Sequence, residues 1–146
     1  VHQTGRAGFE TISGFYQALE RTKSGIRVTC LEYLHDMDAR YAWADLIICR
    51  AGASTAAELA ACGKAAIFIP LPTAADDHQL KNARVFEKAG AALVIEQKDL
   101  TVESLDNAVR RLQKDPVLVE AFEQAVRQFA TGNAAETIAQ HVIGKV

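Results

Sequence analysis

Short apolar runs alternate with helical patterns over the first hundred residues, and this alternation restricts the fold more than any other feature. The runs at 46–50 and 65–70 are apolar almost throughout, which is typical of strands buried on both faces. Between them lies an alanine-rich helical pattern at 55–62, closed by Gly63. Strands that alternate with helices in this way predict an α/β fold, built from right-handed βαβ units around a parallel sheet.

The same patterns assign the rest of the chain. The predicted strands lie at 28–34, 46–50, 65–70 and 92–97, and the predicted helices at 9–19, 37–44, 55–62, 78–89, 102–114, 116–130 and 134–142. Asp36 is expected to cap the second helix, and Pro116 suits the first position of another. Val1 and His2 look like the tail of a strand, because a turn and a helix follow them. We therefore expect a sheet that lacks its first strand, in a chain that is cut or whose preceding part is missing.

Size and composition are those of one globular domain, which we expect to span 1–146. The formal net charge is −2 and no long basic run is present, so nucleic acid is not an expected partner. Three cysteines without a C-x-x-C pair, Cys30, Cys49 and Cys62, indicate reduced thiols in a cytoplasmic protein. The sequence contains neither a signal-peptide pattern nor an apolar run near the ~20 residues that span a bilayer.

The loop at 50–55 joins a predicted strand to a predicted helix. In a parallel sheet such loops line the crevice at the carboxyl ends of the strands, where ligands bind. The N-terminus of a helix offers unpaired N–H groups and a partial positive charge, which suit a phosphate. Ala53, Ser54 and Thr55 could donate to a diphosphate, or they could simply be small residues at a helix start. Arg50 could contact phosphate, or it could form an ion pair with a neighbour such as Asp45.

Glu58 has two possible roles. With Thr55 it fits T-x-x-E, the capping box in which a glutamate bonds back to the first N–H of the helix. Alternatively, a carboxylate one turn into a helix at this edge can accept hydrogen bonds from a sugar diol. Both roles place Glu58 on the first helical turn. A carboxylate that can bind a sugar diol, beside a loop that can bind a diphosphate, indicates a nucleotide-sugar site.

A second polar loop precedes the helix predicted at 78–89. Asp76 and Asp77 are typical capping residues, and without a further carboxylate or histidine at ligand spacing we do not expect a metal site. His78 and Gln79 carry neutral donors and acceptors that suit sugar hydroxyls. A third loop at 2–5 contains a glycine and is a weak signal by itself.

Two aromatic residues near the second helix, Tyr41 and Trp43, are expected to pack in the core rather than to stack on a base. Motifs of common hydrolases and nucleotide-binding enzymes, G-x-S-x-G, G-x-x-x-x-G-K-[ST], H-E-x-x-H and G-x-G-x-x-G, are absent from the chain. No catalytic set can therefore be assigned from the residues alone.

Five stretches resemble one known family: 2–5 (HQTG), 33–37 (YLHDM), 41–70, 77–83 (DHQLKNA) and 87–101. They are similar to the C-terminal half of the MurG family, the UDP-N-acetylglucosamine (UDP-GlcNAc) transferases that make lipid II. The pattern R-x-G-A-x-T-x-x-E is specific, and the similarity extends over nearly the whole chain. It implies the second of two Rossmann-like domains in a GT-B glycosyltransferase, the domain that holds most of UDP-GlcNAc.

The resemblance also implies residue roles. The backbone of Leu34 would contact uracil, residues 53–55 would meet the diphosphate, and Glu58 would bind the ribose hydroxyls. Ser54 stands where the family often has Leu. His78 and Gln79 would contact the GlcNAc hydroxyls. The implied UDP-GlcNAc-binding residues are Leu34, Arg50, Gly52, Ala53, Ser54, Thr55, Glu58, His78, Gln79 and Asn82.

The reaction implied is an inverting transfer of GlcNAc to lipid I, without metal or cofactor. In the family the N-terminal domain binds the lipid acceptor, carries the proposed base and faces the membrane. That domain is absent from this chain, so we expect no catalytic residue here and an inactive isolated chain. The resemblance implies a place at the cytoplasmic face of the bacterial inner membrane, with peripheral association through the absent domain.

Three other functions remain open. A split transferase has a similar half as a separate subunit that acts on dolichyl-diphosphate-GlcNAc. A UDP-GlcNAc 2-epimerase would need acid and base carboxylates that we do not find in the sequence. A non-catalytic module that binds UDP-sugars belongs to a different functional class.

Overall fold

The computed structural model describes residues 1–22, 25, 27–72, 77–130 and 132. The chain divides into two compact units, Val1–Arg40 and Tyr41–Val146. Both contain parallel strands joined through helices, as the alternating sequence patterns predict.

The first unit is built on a short parallel pair. Strand β1, His2–Gln3, pairs with β2, Cys30–Leu31, and helix α1, Arg6–Arg21, lies between them in the chain. Backbone bonds from Thr4 and Gly5 to the carbonyls of Leu31 and Glu32 continue the pairing past the strand ends. No residue described in this unit is fully buried. Helix α2, Met37–Trp43, begins here, and the Asp36 carbonyl accepts the N–H of Arg40 as a capping position requires.

The second unit contains a three-stranded parallel sheet in the order β3-β4-β5. Its elements are β3 (Ile47–Cys49), α3 (Ala53–Cys62), β4 (Ala66–Phe68), α4 (His78–Lys88), β5 (Ala92–Val94), α5 (Val102–Lys114) and α6 (Pro116–Val126), with 3-10 turns at Gln97–Asp99 and Arg127–Phe129. The register pairs Ile48 with Ile67, and Ile67 with Leu93.

The central strand β4 explains why its sequence run is apolar throughout. Successive strand residues point to opposite faces of a sheet, and Ile67 and Phe68 are both buried. Ile67 packs in a cluster with Leu112 of α5 and Phe122 of α6. Phe68 meets the ring of Phe86 from α4 edge to face, with ring centroids 5.5 Å apart. Helices therefore cover both faces of the sheet, and neither face needs polar residues.

Most of the predicted elements are confirmed, with shifted ends. The strands are shorter than predicted, because only the residues that meet a neighbouring strand enter the ladder. Helix α3 begins two residues earlier than predicted, and α6 ends at Val126 in a 3-10 turn. The helix predicted at 134–142 lies outside the described residues. The prediction for Tyr41 is confirmed, since its side chain is 6% exposed, whereas the prediction for Trp43 is wrong, since its side chain is 70% exposed.

Candidate functional site

The N-terminus of α3 is open. Gly52 occupies the capping position in an extended conformation, φ −64° and ψ 150°, and has no side chain to cap the helix. The first helical bond runs from the Ala56 N–H to the Gly52 carbonyl, 2.9 Å. The N–H groups of Ala53, Ser54 and Thr55 therefore form no hydrogen bond with any residue that the structure describes. The structure brings the three predicted residues together as adjacent donors at the carboxyl end of β3.

Of the two roles left open for Glu58, the capping box with Thr55 is not formed. Glycine is an acceptable capping residue, so the helix starts at Ala53 and Thr55 is already its third residue. Glu58 is the sixth residue and lies on the second turn, beyond reach of the first N–H, which corrects the expected first-turn position. Its Oε2 instead accepts a hydrogen bond from the Tyr41 hydroxyl, 2.9 Å. Within the described ranges, its Oε1 has no hydrogen-bond partner.

Arg50 ties three loops together. Its Nη1 donates to the carbonyls of Ile69, 3.0 Å, and Pro70, 3.3 Å, which follow β4. The same nitrogen donates to Oε1 of Gln97, 2.7 Å, which follows β5. Asp45 is not among its partners in the part of the chain that the structure describes. Of the two alternatives for Arg50, the ion pair with Asp45 is therefore replaced by bonds to neutral oxygens.

Helix α4 reaches the same loops with two amide side chains. Asn82 Nδ2 donates to the carbonyl of Ala51 after β3, 3.2 Å. Gln79 Oε1 accepts the N–H of Leu71 after β4, 3.0 Å. Each side-chain amide thus forms a hydrogen bond to the backbone with one of its two polar atoms. Its other polar atom makes no hydrogen bond with a described residue. With Arg50, these bonds connect the loops after all three strands of the sheet.

Capping at the start of α4 differs from the sequence prediction. Asp77 occupies the capping position, as predicted, but its backbone is left-handed, φ 54°, and its side chain makes no capping bond. Asp76 lies outside the described residues. His78 is the first residue of the helix and is exposed.

Leu34 belongs to the first unit. Its N–H donates to Oε1 of Gln3, 3.0 Å, and this bond links the segment that follows β2 to the last residue of β1. The N–H of Leu34 is therefore occupied by a side chain of the same unit.

Sequence reasoning missed two site residues, Tyr41 and Gln97. Tyr41 was predicted as core, which describes its ring but not its hydroxyl. Gln97 was predicted as the end of a strand, and nothing in its local pattern indicates a partner 47 positions away. Each residue forms its contact through a single polar atom with a partner distant in the sequence. Such a contact produces no periodic pattern in the sequence.

None of the three cysteines forms a disulfide. All three cysteines are free, and burial raises the pKa of Cys49 to about 12, which makes it unreactive as a thiolate at neutral pH. Among the described residues, no cluster of three or more His, Cys, Asp or Glu could hold a metal ion. None of the helices in the described ranges has both the length and the hydropathy that crossing a membrane requires.

Comparison with protein families matches residues 1–142 to the glycosyltransferase family 28 C-terminal domain. The chain is 40% identical over 143 residues to a protein of Geobacter sulfurreducens, covering 98% of this chain and 38% of that protein. It is 45% identical over 138 residues to one of Acidithiobacillus ferrooxidans, covering 94% and 37%. Both relatives are named UDP-N-acetylglucosamine–N-acetylmuramyl-(pentapeptide) pyrophosphoryl-undecaprenol N-acetylglucosamine transferase. The chain thus spans less than two fifths of the length of these relatives.

Solved structures show the same relationship. The crystal structure of Acinetobacter baumannii MurG matches with a TM-score of 0.86 and 35% identity, over 99% of this chain and 40% of that one. The glycosyltransferase VinC in complex with dTDP matches with a TM-score of 0.63 and 23% identity, over 86% and 31%. The second likeness is one of fold alone.

Proposed function

This chain belongs to the family of glycosyltransferase 28 C-terminal domains, and from this premise we propose that it is the half of an N-acetylglucosaminyltransferase that binds UDP-GlcNAc. The observation that carries the proposal is the open start of α3, with three adjacent N–H donors, beside the carboxylate of Glu58. A donor with a diphosphate and a ribose diol uses both features at once.

The geometry of α3 supports this pairing of groups. Ser54 and Glu58 are four residues apart, so they lie on the same face of the helix. Long side chains on a helix lean toward its N-terminus, so the Glu58 carboxylate lies over the turn that carries the free N–H groups. A carboxylate near a diphosphate repels it unless it accepts hydrogen bonds from the same ligand. The two hydroxyls of a ribose, next to the diphosphate in UDP, provide those bonds.

The remaining site residues complete the donor site in this proposal. The free ends of the Gln79 and Asn82 amides, with His78, contact the GlcNAc hydroxyls. Gly52 lets the diphosphate approach the helix closely, because apart from its chain neighbours no described residue has an atom within 4 Å of the position that a Cβ would take. Arg50 holds the loops in place and keeps its remaining N–H groups for phosphate.

The backbone of Leu34 contacts the uracil ring in this proposal. Its N–H is already bonded to the side chain of Gln3, so the Leu34 carbonyl is the group we assign to the base.

The reaction we propose is the inverting transfer of GlcNAc to lipid I, which forms lipid II. The names of the relatives support an undecaprenol-linked acceptor over a dolichol-linked one. In this proposal, the base that deprotonates the acceptor hydroxyl lies on an N-terminal domain outside this chain. The same N-terminal domain binds lipid I and associates with the cytoplasmic face of the inner membrane. Residues 53–55 stabilise charge that develops on the leaving diphosphate, a role that a cation has in other enzymes.

Adding a negative charge at the start of α3 tests this proposal. In Ser54→Asp, the new carboxylate lies in the first turn, where it favours the helix but repels a bound diphosphate. We expect an unchanged or higher melting temperature and a UDP affinity lowered at least tenfold, measured by calorimetric titration of the chain. The matched control is Val102→Asp, which adds the same charge to the first turn of α5 at a side chain that is 90% exposed. Equal UDP affinity in Ser54→Asp and the control would contradict the proposal, as would a wild-type chain that does not bind UDP.

A further inference from the structure

The Tyr41 hydroxyl is the one group among the described residues that holds the Glu58 side chain. The ring of Tyr41 is buried at the end of α2, and its hydroxyl donates to Glu58 Oε2, 2.9 Å. Glu58 itself is exposed on α3. A buried aromatic ring therefore anchors one oxygen of a carboxylate that is otherwise free to move.

An exposed glutamate on a helix samples several rotamers. A ligand that binds only one of these rotamers binds more weakly, because the side chain loses conformational entropy when the ligand restricts it. A buried tyrosine has two side-chain torsions, both limited by packing, so its hydroxyl is a fixed point. Burial, followed by the bond to Glu58, raises the pKa of Tyr41. The hydroxyl therefore remains a proton donor at physiological pH.

We propose that Tyr41 is a positioning residue, whose hydroxyl holds Glu58 Oε2 so that Oε1 is aimed at the ribose diol of the nucleotide. The inference rests on the role proposed for Glu58 and adds a residue to it. It differs from a purely structural bond between α2 and α3, which would stabilise the fold without affecting how the site recognises ribose.

The Tyr41→Phe variant separates these two roles. Phenylalanine fills the same space and leaves no buried polar group unpaired, because the Glu58 carboxylate remains accessible to water. The informative measurement is the affinity of the chain for UDP relative to 2′-deoxy-UDP, whose sugar lacks the diol. Unfolding lowers both apparent affinities by the same factor, so their ratio reports recognition of ribose even if the variant is less stable.

We expect Tyr41→Phe to bind UDP about three- to tenfold more weakly, because one side chain must now be ordered on binding. Its affinity for 2′-deoxy-UDP should fall less, staying within about twofold of wild type after correction for the folded fraction, because that sugar keeps only the 3′-hydroxyl and cannot form the paired bonds that an oriented carboxylate favours. In a Glu58→Ala background, adding Tyr41→Phe should change neither affinity. The matched control is Tyr16→Phe, which removes a hydroxyl that bonds His2 Nδ1 in the first unit, 2.9 Å, and should leave the ratio unchanged.

An unchanged ratio in Tyr41→Phe, with a wild-type chain that prefers UDP and loses this preference in Glu58→Ala, would overturn the inference and leave the proposed function intact. A wild-type chain that binds UDP and 2′-deoxy-UDP equally would overturn the ribose role of Glu58, and the role of Tyr41 with it. A lower ratio in Tyr41→Phe that persists in the Glu58→Ala background would also overturn the inference, because Tyr41 would then act through another group.

Discussion

Glu58 is the residue whose two sequence-based roles the structure separates. Because α3 starts at Gly52, Glu58 is too far along the helix to cap it, and the carboxylate contributes little to helix stability. The sequence could suggest T-x-x-E because both residue types are present at the right spacing. It could not show that a glycine three residues earlier than Thr55 would take the capping position.

Replacing Glu58 with alanine should therefore lower the affinity for UDP much more than it lowers stability, since the one bond lost within the described residues is that from the Tyr41 hydroxyl. We expect a loss of about 2–3 kcal/mol in UDP binding free energy, the range for hydrogen bonds to a charged group. The melting temperature should fall only by the amount that the loss of one hydrogen bond causes, about 1 kcal/mol in folding free energy. Titration calorimetry and a thermal melt on the same samples measure both quantities. Glu120→Ala, an exposed glutamate on α6, is the control, and a UDP affinity equal to the control's would contradict the ribose role.

Gly63 is a residue whose role the sequence predicted only in part. Its position at the end of α3 is confirmed, with a left-handed φ of 63°. The sequence could not show that Arg127, 64 positions away, lies so close that an added Cβ would collide with its guanidinium. Gly90 ends α4 with a similar φ of 66°, but the space around it is open.

These two glycines form a matched pair for a stability experiment. Gly90→Ala should cost about 1–2 kcal/mol, the penalty for a left-handed L-residue. Gly63→Ala should lower the free energy of unfolding by a larger amount, because Arg127 must also move. Urea denaturation measures both, and an Arg127→Ala background should bring the two costs together. Equal costs in the wild-type background would show that the contact with Arg127 contributes nothing.

At the scale of single elements, a capping box forms at α5 and not at α3 in the part of the chain that the structure describes. The Thr101 hydroxyl accepts the Ser104 N–H, 3.0 Å, and the Ser104 hydroxyl accepts the Thr101 N–H, 2.8 Å. The usual sequence signature places Glu or Gln three residues after the capping Ser or Thr. The sequence T-V-E-S has serine there and does not match it. A serine replaces the longer side chain, and only the geometry identifies it.

The threonines at 55 and 101 should therefore respond differently to truncation. Thr101→Ala should cost about 1 kcal/mol of folding free energy, because the Ser104 N–H loses its partner, the Thr101 hydroxyl. Thr55→Ala should change folding free energy by less than about 0.5 kcal/mol, because alanine is the better helix former at a non-capping position. Chemical denaturation of the two variants provides the test. A larger cost for Thr55→Ala would contradict the helix start at Ala53.

At the scale of the whole molecule, the alternation of strands and helices was enough to predict a parallel sheet covered on both faces. It was also enough to propose a donor site at the carboxyl ends of the strands, which stays a prediction. Contacts between loops could not be predicted, because Arg50, Gln79 and Asn82 bond to backbone atoms and such bonds do not depend on the partner's residue type. The exposure of Trp43 was missed for a related reason, since an aromatic residue in a helical pattern is buried only if another element covers it.

The proposed function gives donor binding to this chain and the catalytic base to another domain, and this predicts what the chain does alone. It should bind UDP, in the presence or absence of EDTA, and should transfer no GlcNAc from UDP-GlcNAc to a lipid I analogue. Holding both reactants in line contributes up to about 7–11 kcal/mol to catalysis, and one domain cannot supply it. A labelled-donor assay, with a complete relative such as the Geobacter sulfurreducens protein as positive control, measures transfer. Transfer by the chain alone would contradict this division, and UDP binding that requires Mg²⁺ would contradict a metal-free site.

The hydrogen bonds of Arg50, Gln79 and Asn82 have a consequence for how a ligand is received. They fix the loops after β3, β4 and β5 through contacts within the protein itself. A site already held in this way is preorganised, so little ordering entropy remains to be lost when the nucleotide arrives. The backbone of these loops should then differ by less than about 1 Å between the free and the nucleotide-bound chain, as in other rigid complexes. Under the proposed function, the nucleotide would bind without a large rearrangement of these loop residues.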